Sequence, residues 1–279
     1  MSYLSAAFLG LVQGVAEFLP ISSSGHLSIF QNFLGLNTVE DGGHVFFDLL
    51  LHLATLVAVC IFYRKDIMEI ISQGLTYIRT VGHPVPGVKK KYPAVRLLVM
   101  MFLGTLPLFL VLPFKDKVEE LYNNTMFIGF ALLFCGTILF ISDRLPRRSK
   151  NEKTMTVKDA LVIGFFQAIA TVPGISRSGT TITAGIATGL DRQFAVKFSF
   201  LLSIPAILGA NILSIADAVE AGIEPGMLPM YLVGMLVAAV SGYLCLMLLR
   251  YISRKGRFGG FSFYCWVVGI ATIILTIVL

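Results

Sequence analysis

Residues 10–25 read GLVQGVAEFLPISSSG, and residues 164–179 read GFFQAIATVPGISRSG. At a constant offset Gly10 aligns with Gly164, Gln13 with Gln167, Ser22 with Ser176, Ser24 with Ser178 and Gly25 with Gly179. Pro20 and Pro173 fall within one position of each other. Each copy is an apolar stretch that breaks at proline and runs into small polar residues. A bilayer-crossing helix needs about 17–25 apolar residues, so neither copy spans unaided. Paired interrupted segments in the two halves of a membrane protein point to a buried site where the repeats meet. The copies differ where chemistry would sit: the first adds Glu17 and His26, the second Arg177.

The 279-residue chain is 56% hydrophobic and 14% charged. Its mean hydropathy of +0.82 lies outside the range of soluble domains. The net charge of +6 is carried by loops between apolar runs, so membrane orientation explains it better than nucleic acid, which is not expected as a partner. The apolar start of the chain contains Gln13 and Glu17 and no preceding basic stretch, so it does not read as a signal peptide. Cys60, Cys135, Cys245 and Cys265 lack metal-ligand spacing and read as packing residues. There is no Walker loop, CxxC pair or HExxH helix.

Six runs are long and apolar enough to cross: Phe46–Tyr63, Leu97–Phe114, Met126–Ser142, Phe198–Ala216, Leu228–Leu249 and Phe261–Leu279. The intervening segments Arg64–Arg96, Arg144–Lys158 and Arg250–Arg257 are basic, whereas Asp217–Pro229 has no Lys or Arg and Lys115–Asn124 is balanced. The positive-inside rule then places the three basic loops in the cytoplasm and alternates through all six spans. It also sends the first repeat in from outside and the second from the cytoplasm. The predicted fold is an all-α integral membrane protein: six transmembrane helices plus two re-entrant helical hairpins in an inverted-topology repeat. It forms one membrane domain over residues 1–279, with halves 1–142 and 143–279 and re-entrant repeats at 4–31 and 158–190. Irregular backbone at membrane depth must be buried in protein or line a cavity, which makes the two breaks the expected site.

Within that site Gln13 and Glu17 share a helix face. A carboxylate inside a membrane is costly, by about 2.5–3.5 kcal/mol on insertion scales, and so is a functional candidate. The bland alternative is that Glu17 only pairs with Arg177 to hold the hairpins together. Ser22, Ser23 and Ser24 precede one helix start, and Ser176, Ser178 and Thr180 surround another. Helix N-termini offer unpaired N–H groups and partial positive charge, which suits phosphate, and Arg177 adds a guanidinium. Ordinary capping and small-residue packing is the alternative for the serine runs. His26, just beyond the first loop, is a candidate base or nucleophile acting with Ser23 or Ser24. Asp48 and His52, four apart, are candidate supporting residues or metal ligands, with a helix–helix hydrogen bond as the alternative. The Lys89–Lys91 run reads as a headgroup contact.

These motifs resemble the undecaprenyl-pyrophosphate phosphatase family of the bacitracin-resistance type, over essentially the whole chain. The (E/Q)xxxE motif is Gln13-Gly-Val-Ala-Glu17, continuing through Pro20-Ile-Ser-Ser-Ser-Gly-His26. The PGxSRSG(T/A)T motif is Pro173 to Thr181, and Phe47 to Val59 resembles the family's first spanning helix. The resemblance implies an inner-membrane hydrolase that removes the terminal phosphate of a C55 polyprenyl pyrophosphate and recycles the lipid carrier for cell-wall polymers. It implies a divalent cation (Mg2+ or Ca2+), with Glu17 as a candidate ligand, and a pocket opening to the outer, periplasmic face. It also implies catalytic importance for Glu17, Ser23, His26, Ser176 and Arg177; a homodimer is compatible with it. Gln13 in place of Glu suggests that this position is not a required acid. The attacking group stays open between Ser23, His26 and water. A transporter or flippase for polyprenyl phosphate or another anion is the alternative from another class, since inverted repeats with broken helices are frequent there. A purely structural scaffold would leave Glu17 and Arg177 unexplained.

Overall fold

The computed structural model describes residues 1–33, 43–81, 92–220, 225–255 and 257–278. Among these the chain is all-helical: α1 (Tyr3–Phe18), α2 (Ser23–Phe33), α3 (Gly43–Phe62), α4 (Arg64–Val81), α5 (Pro93–Thr105), α6 (Lys115–Glu120), α7 (Thr125–Ser142), α8 (Val157–Ile169), α9 (Arg177–Ala187), α10 (Arg192–Glu220), α11 (Leu228–Lys255) and α12 (Gly259–Val278). Five helical segments are long and apolar enough to cross a membrane, or six when the bent pair Phe46–Phe62 and Arg64–Thr80 is taken as one span. Large apolar side chains on these helices face outward: Phe130, Leu236, Val267 and Ile274 are each more than half exposed. Such a surface suits lipid rather than water. The chain is a multi-pass membrane protein.

Three predicted boundaries change. The segment after α3 is not a loop at its start: α4 leaves α3 at 76° and runs to Val81 as an amphipathic helix. Its periodic apolar residues, Met68, Ile71, Leu75 and Ile78, were masked in the sequence by the basic residues around them. The Lys89–Lys91 run and Leu279 lie outside the described residues. Second, Leu97–Phe114 is not one α-helix. Proline starts α5 at Pro93, and α geometry ends at Thr105, before Pro107. The chain continues in 3-10 turns at Leu106–Leu110 and Leu112–Phe114, since proline removes a donor from the α ladder. Third, α10 starts six residues before the predicted span, at Arg192, and carries Pro205 in its interior.

Both repeats form helical hairpins. In the first, the Phe8 ring on α1 meets the Phe30 ring on α2 edge-on, with centroids 5.0 Å apart. In the second, Lys150 ties the two outer ends together. Its Nζ donates to both Asp159 oxygens at 3.0 Å, at the start of α8, and to the Thr188 carbonyl at 2.8 Å, at the end of α9. Asp159 also completes a capping box with Thr156.

Each hairpin packs against a helix from the other half of the chain. Gly10 on α1 lies against Gly234 on α11, and its repeat partner Gly164 on α8 lies against Gly104 on α5. A Cβ at Gly164 would come within 2.9 Å of the Gly104 Cα, and one at Gly10 within 3.0 Å of the Gly234 Cα. Helices this close need small residues at the contact. The pair α7 and α12 meets the same way: a Cβ on Gly269 would lie 2.8 Å from the Gly129 carbonyl oxygen, and one on Gly129 3.1 Å from that of Gly269. The main core draws on both halves, with Phe18, Val59, Met100, Ile163, Ile182, Leu201, Leu246 and Cys265 all buried in one cluster.

Candidate functional site

Both hairpins break at proline, and each break is closed by the same pair of serines. Ser22 has φ 74°, and its Oγ accepts from the Gly25 N–H at 3.2 Å and lies 3.3 Å from Ser24 Oγ. Ser176 Oγ accepts from the Gly179 N–H at 3.1 Å and lies 3.2 Å from Ser178 Oγ. The left-handed backbone falls on Ser22 in the first loop and on Gly174 (φ 87°) in the second. A non-glycine residue held there costs on the order of 1–3 kcal/mol, so the surroundings must enforce it.

The two loops touch. The Gly174 N–H donates to Ser24 Oγ at 3.4 Å. A Cβ on Gly25 would meet the Gly174 Cα at 3.1 Å, and one on Gly179 would meet the Pro20 Cβ at 3.2 Å. Pro20's carbonyl, cut off from a helix ladder, receives the thiols of Cys135 on α7 and Cys265 on α12, each at 3.9 Å. Both cysteines are buried, in keeping with their reading as packing residues.

Glu17 sits at this junction, 6% exposed, at the end of α1. One carboxylate oxygen accepts from the Arg177 guanidinium. The other accepts from Ser23 Oγ at 2.7 Å and Gln13 Nε2 at 3.2 Å, and faces His52 Nε2 at 3.8 Å. Arg177 opens α9 with Ser176 as its N-cap. Its second terminal nitrogen, Nη1, is buried without a hydrogen-bond partner, as are Thr180 Oγ1 and Gln13 Oε1. Unpaired buried donors are rare and demand an explanation, and an anion accepted at Arg177 would be one.

The predicted residues are thus brought together with one departure. Gln13, Glu17, Ser23, His52 and Arg177 form a single cluster, with Ser22 and Ser176 in the two touching loops and Ser24, Ser178 and Thr180 in the first turns of α2 and α9. Asp48 lies one turn from His52 on α3, and both its oxygens accept from the Gln31 amide at 3.2 and 3.3 Å. His26 turns elsewhere: its Nδ1 is 2.7 Å from the Ser22 carbonyl and its Nε2 2.8 Å from the Tyr264 hydroxyl. Neither nitrogen reaches Ser23 or Ser24, because the first turn of α2 points the ring at α12. Gln31 and Tyr264 escaped the sequence reading. Their partners lie on other helices, and no local pattern announces them.

A divalent cation was implied by the family resemblance. No group of three or more His, Cys, Asp and Glu side chains able to hold a metal ion occurs among the described residues. Both Glu17 oxygens are already engaged by Arg177, Ser23 and Gln13. The donor set therefore does not make an all-protein cage. An ion of the magnesium type, which binds one or two carboxylates, would need substrate phosphate oxygens to complete its shell here.

Comparison with known proteins agrees with this geometry. A family model described as bacitracin resistance protein BacA matches residues 6–271. The undecaprenyl-diphosphatase of Halothermothrix orenii is 38% identical over 276 residues, covering 99% of this chain and 98% of that protein. That of Methanosphaera stadtmanae is 38% identical over 283 residues, covering all of both chains. Undecaprenyl-diphosphatase 3 of Bacillus cereus is 37% identical over 276 residues, covering 99% and 98%. Both serine loops, the Glu17–Arg177 pair and the helices that hold them fall inside the matched span, and the chain belongs to the bacitracin resistance protein BacA family.

Proposed function

We propose that this protein hydrolyses a polyprenyl diphosphate of the undecaprenyl class to the monophosphate and inorganic phosphate, recycling a lipid carrier for cell-wall polymers. The observation that carries this reading is the Arg177–Glu17–Ser23 chain at the contact of two broken hairpins. It joins an anion-binding guanidinium to a hydroxyl that already hands its hydrogen to a carboxylate. The names of the curated relatives support the same activity.

Phosphoryl transfer asks mainly for positioning and for neutralising charge on the transferred group. Arg177, through Nη1, and the N-terminal N–H groups of α2 and α9 would hold the terminal phosphate. Ser23 is favoured as the attacking group, with Glu17 taking the proton from Oγ as the new P–O bond forms. The bond between the two phosphates then breaks, and the polyprenyl monophosphate leaves. Water then attacks the phosphorus as the P–Oγ bond breaks; Glu17 returns its proton to Oγ, and both hydrogens of the water leave with the inorganic phosphate. Glu17 and Asp48 would hold a divalent cation brought with the substrate, which would supply neutralisation of the diphosphate charge.

The inverted repeat is part of the proposal. The exchange of partners between halves, α1 with α11 and α8 with α5, supports two related units of opposite direction within one membrane domain, halves 1–142 and 143–279. With the basic loops inside, the cluster would open to the outer face of the bacterial inner membrane.

The test is phosphate release by the purified protein from undecaprenyl diphosphate with magnesium, calcium or chelator. Metal-dependent release that Arg177→Ala abolishes supports the reading. Near-normal release by a well-folded Arg177→Ala protein, or none by the wild type under any metal condition, refutes it.

A further inference from the structure

His26 and Tyr264 form a contact that the hydrolysis scheme leaves unused. The Ser22 carbonyl can only accept, so the nitrogen facing it at 2.7 Å, Nδ1, carries the hydrogen. In the neutral ring Nε2 is then the acceptor, and the Tyr264 hydroxyl 2.8 Å away donates to it. The two rings stack with centroids 5.6 Å apart and planes inclined by 9°. The contact joins α2 to α12 across 238 residues of chain.

At its other end the His26 ring grips the residue with the unusual backbone. The Ser22 carbonyl receives both the His26 N–H, at 3.2 Å, and the His26 Nδ1 hydrogen. Ser22 is the residue at φ 74°, and the next residue is Ser23, whose hydroxyl points at Glu17. A chain of contacts thus runs from the Tyr264 hydroxyl through the His26 ring to the Ser22 carbonyl, and so to the direction of the Ser23 hydroxyl.

We propose that Tyr264 is a positioning residue: its hydroxyl holds the His26 ring, whose Nδ1–H tautomer the Ser22 carbonyl sets, and through that ring it clamps the loop that presents Ser23 to Glu17. His26 on this account is the clasp of the loop rather than the base for Ser23. Its kinetic consequence rests on the phosphatase reading; its spectroscopic consequence at Nε2 does not.

Tyr264 is open to substitution. It is 43% exposed and borders a cavity of about 480 Å³ shared with Val15, Leu19, Ile21 and Phe261. Tyr264→Phe keeps the ring and removes only the hydroxyl. Phe261→Leu, in the same cavity wall, serves as the control.

The experiment is 15N NMR of the purified full-length protein labelled at its four histidines, with the His26 signals assigned from their loss in His26→Gln. Steady-state hydrolysis of undecaprenyl diphosphate runs beside it. The wild type is expected to give His26 as a single neutral Nδ1–H species. Tyr264→Phe should lose the hydrogen bond accepted at Nε2, read as a shift of the Nε2 signal toward that of a free acceptor nitrogen, with kcat lower by about three- to tenfold, the range of one neutral hydrogen bond, and KM within about twofold. Phe261→Leu should change neither. A Tyr264→Phe protein whose His26 Nε2 signal stays at the wild-type position overturns the proposal whatever its kcat. Wild-type protein without the Nδ1–H species overturns it too. A wild type with the expected tautomer and no hydrolysis would instead count against the phosphatase reading.

Discussion

Replacing Arg177 by methionine removes the counterion of a buried carboxylate and leaves the rest of the cluster in place. Glu17 would retain the Ser23 hydroxyl at 2.7 Å and the Gln13 amide at 3.2 Å. Breaking a buried pair from one side costs about 3–5 kcal/mol, and the two surviving donors put this case near 3. For a chain of this size that corresponds to a melting temperature lower by about 6–12 °C, at about 2–4 °C per kcal/mol. Adding Glu17→Gln removes the stranded charge, and the doubly substituted protein should melt within about 4 °C of the wild type, since an uncharged replacement of a buried pair is often neutral. Thermal unfolding in one detergent, followed by tryptophan and tyrosine fluorescence, reads the stability. Phosphate release from the same preparations reads the activity, which is expected to be absent in both single variants and in the double one. The reasoning fails if Arg177→Met melts with the wild type, or if the double variant hydrolyses substrate. The first outcome would mean that Glu17 does not depend on Arg177. The second would reduce the pair to a structural tie between hairpins.

Three further outcomes follow from the same geometry. Gly164→Leu, against Gly104, and Gly10→Leu, against Gly234, should each destabilise the protein by about 1–3 kcal/mol or prevent its folding, as overpacking does, and melting of the two variants should fall by similar amounts. Burial alone would raise the Asp159 carboxyl, but the Thr156 hydrogen bonds and the Lys150 ammonium outweigh it and hold the carboxyl below its usual value. A depressed carboxyl contributes stability above its unfolded value, about 3.9, that is lost as pH falls through the folded one. Melting of the wild type should therefore fall more steeply below about pH 5 than that of Lys150→Met, and parallel curves would count against the strut. Ser24→Ala removes the acceptor for the Gly174 N–H and should lower kcat by less than tenfold, against a loss beyond a hundredfold for Ser23→Ala; equal losses would contradict the separate places given to the two hydroxyls.

The duplicated stretch made most of the site legible before any coordinates. A proline break, flanking serines and one unmatched charge per copy are local signals, and the structure brings Glu17 and Arg177 into contact as their membrane setting requires. The apolar spans were equally plain, because lipid-facing helices are apolar over their whole length. What sequence could not supply was direction. His26 follows the serine loop so closely that a partnership with Ser23 was the natural reading, yet the helical turn swings its ring toward α12. Tyr264 and Gln31 gave no signal, since each matters only for a partner on another helix. Helix α4 was overlooked because its charges conceal its period, and the end of α5 because proline at position 107 converts a continuous apolar run into tighter turns.

The glycine contacts between α1 and α11, and between α8 and α5, bear on how the molecule comes into being. Helix α1 finds its groove filled only by α11, and the carboxylate at its end must wait 160 residues for the guanidinium that joins it. A ribosome that stalls after the first half leaves an acid in the translocon or the bilayer with no counterion, and a hairpin with no wall. Neither half, cut free, would carry both the carboxylate and the guanidinium of the pair. Assembly of the candidate site is thereby a late event in the life of the nascent chain, since its two charged members come from opposite halves.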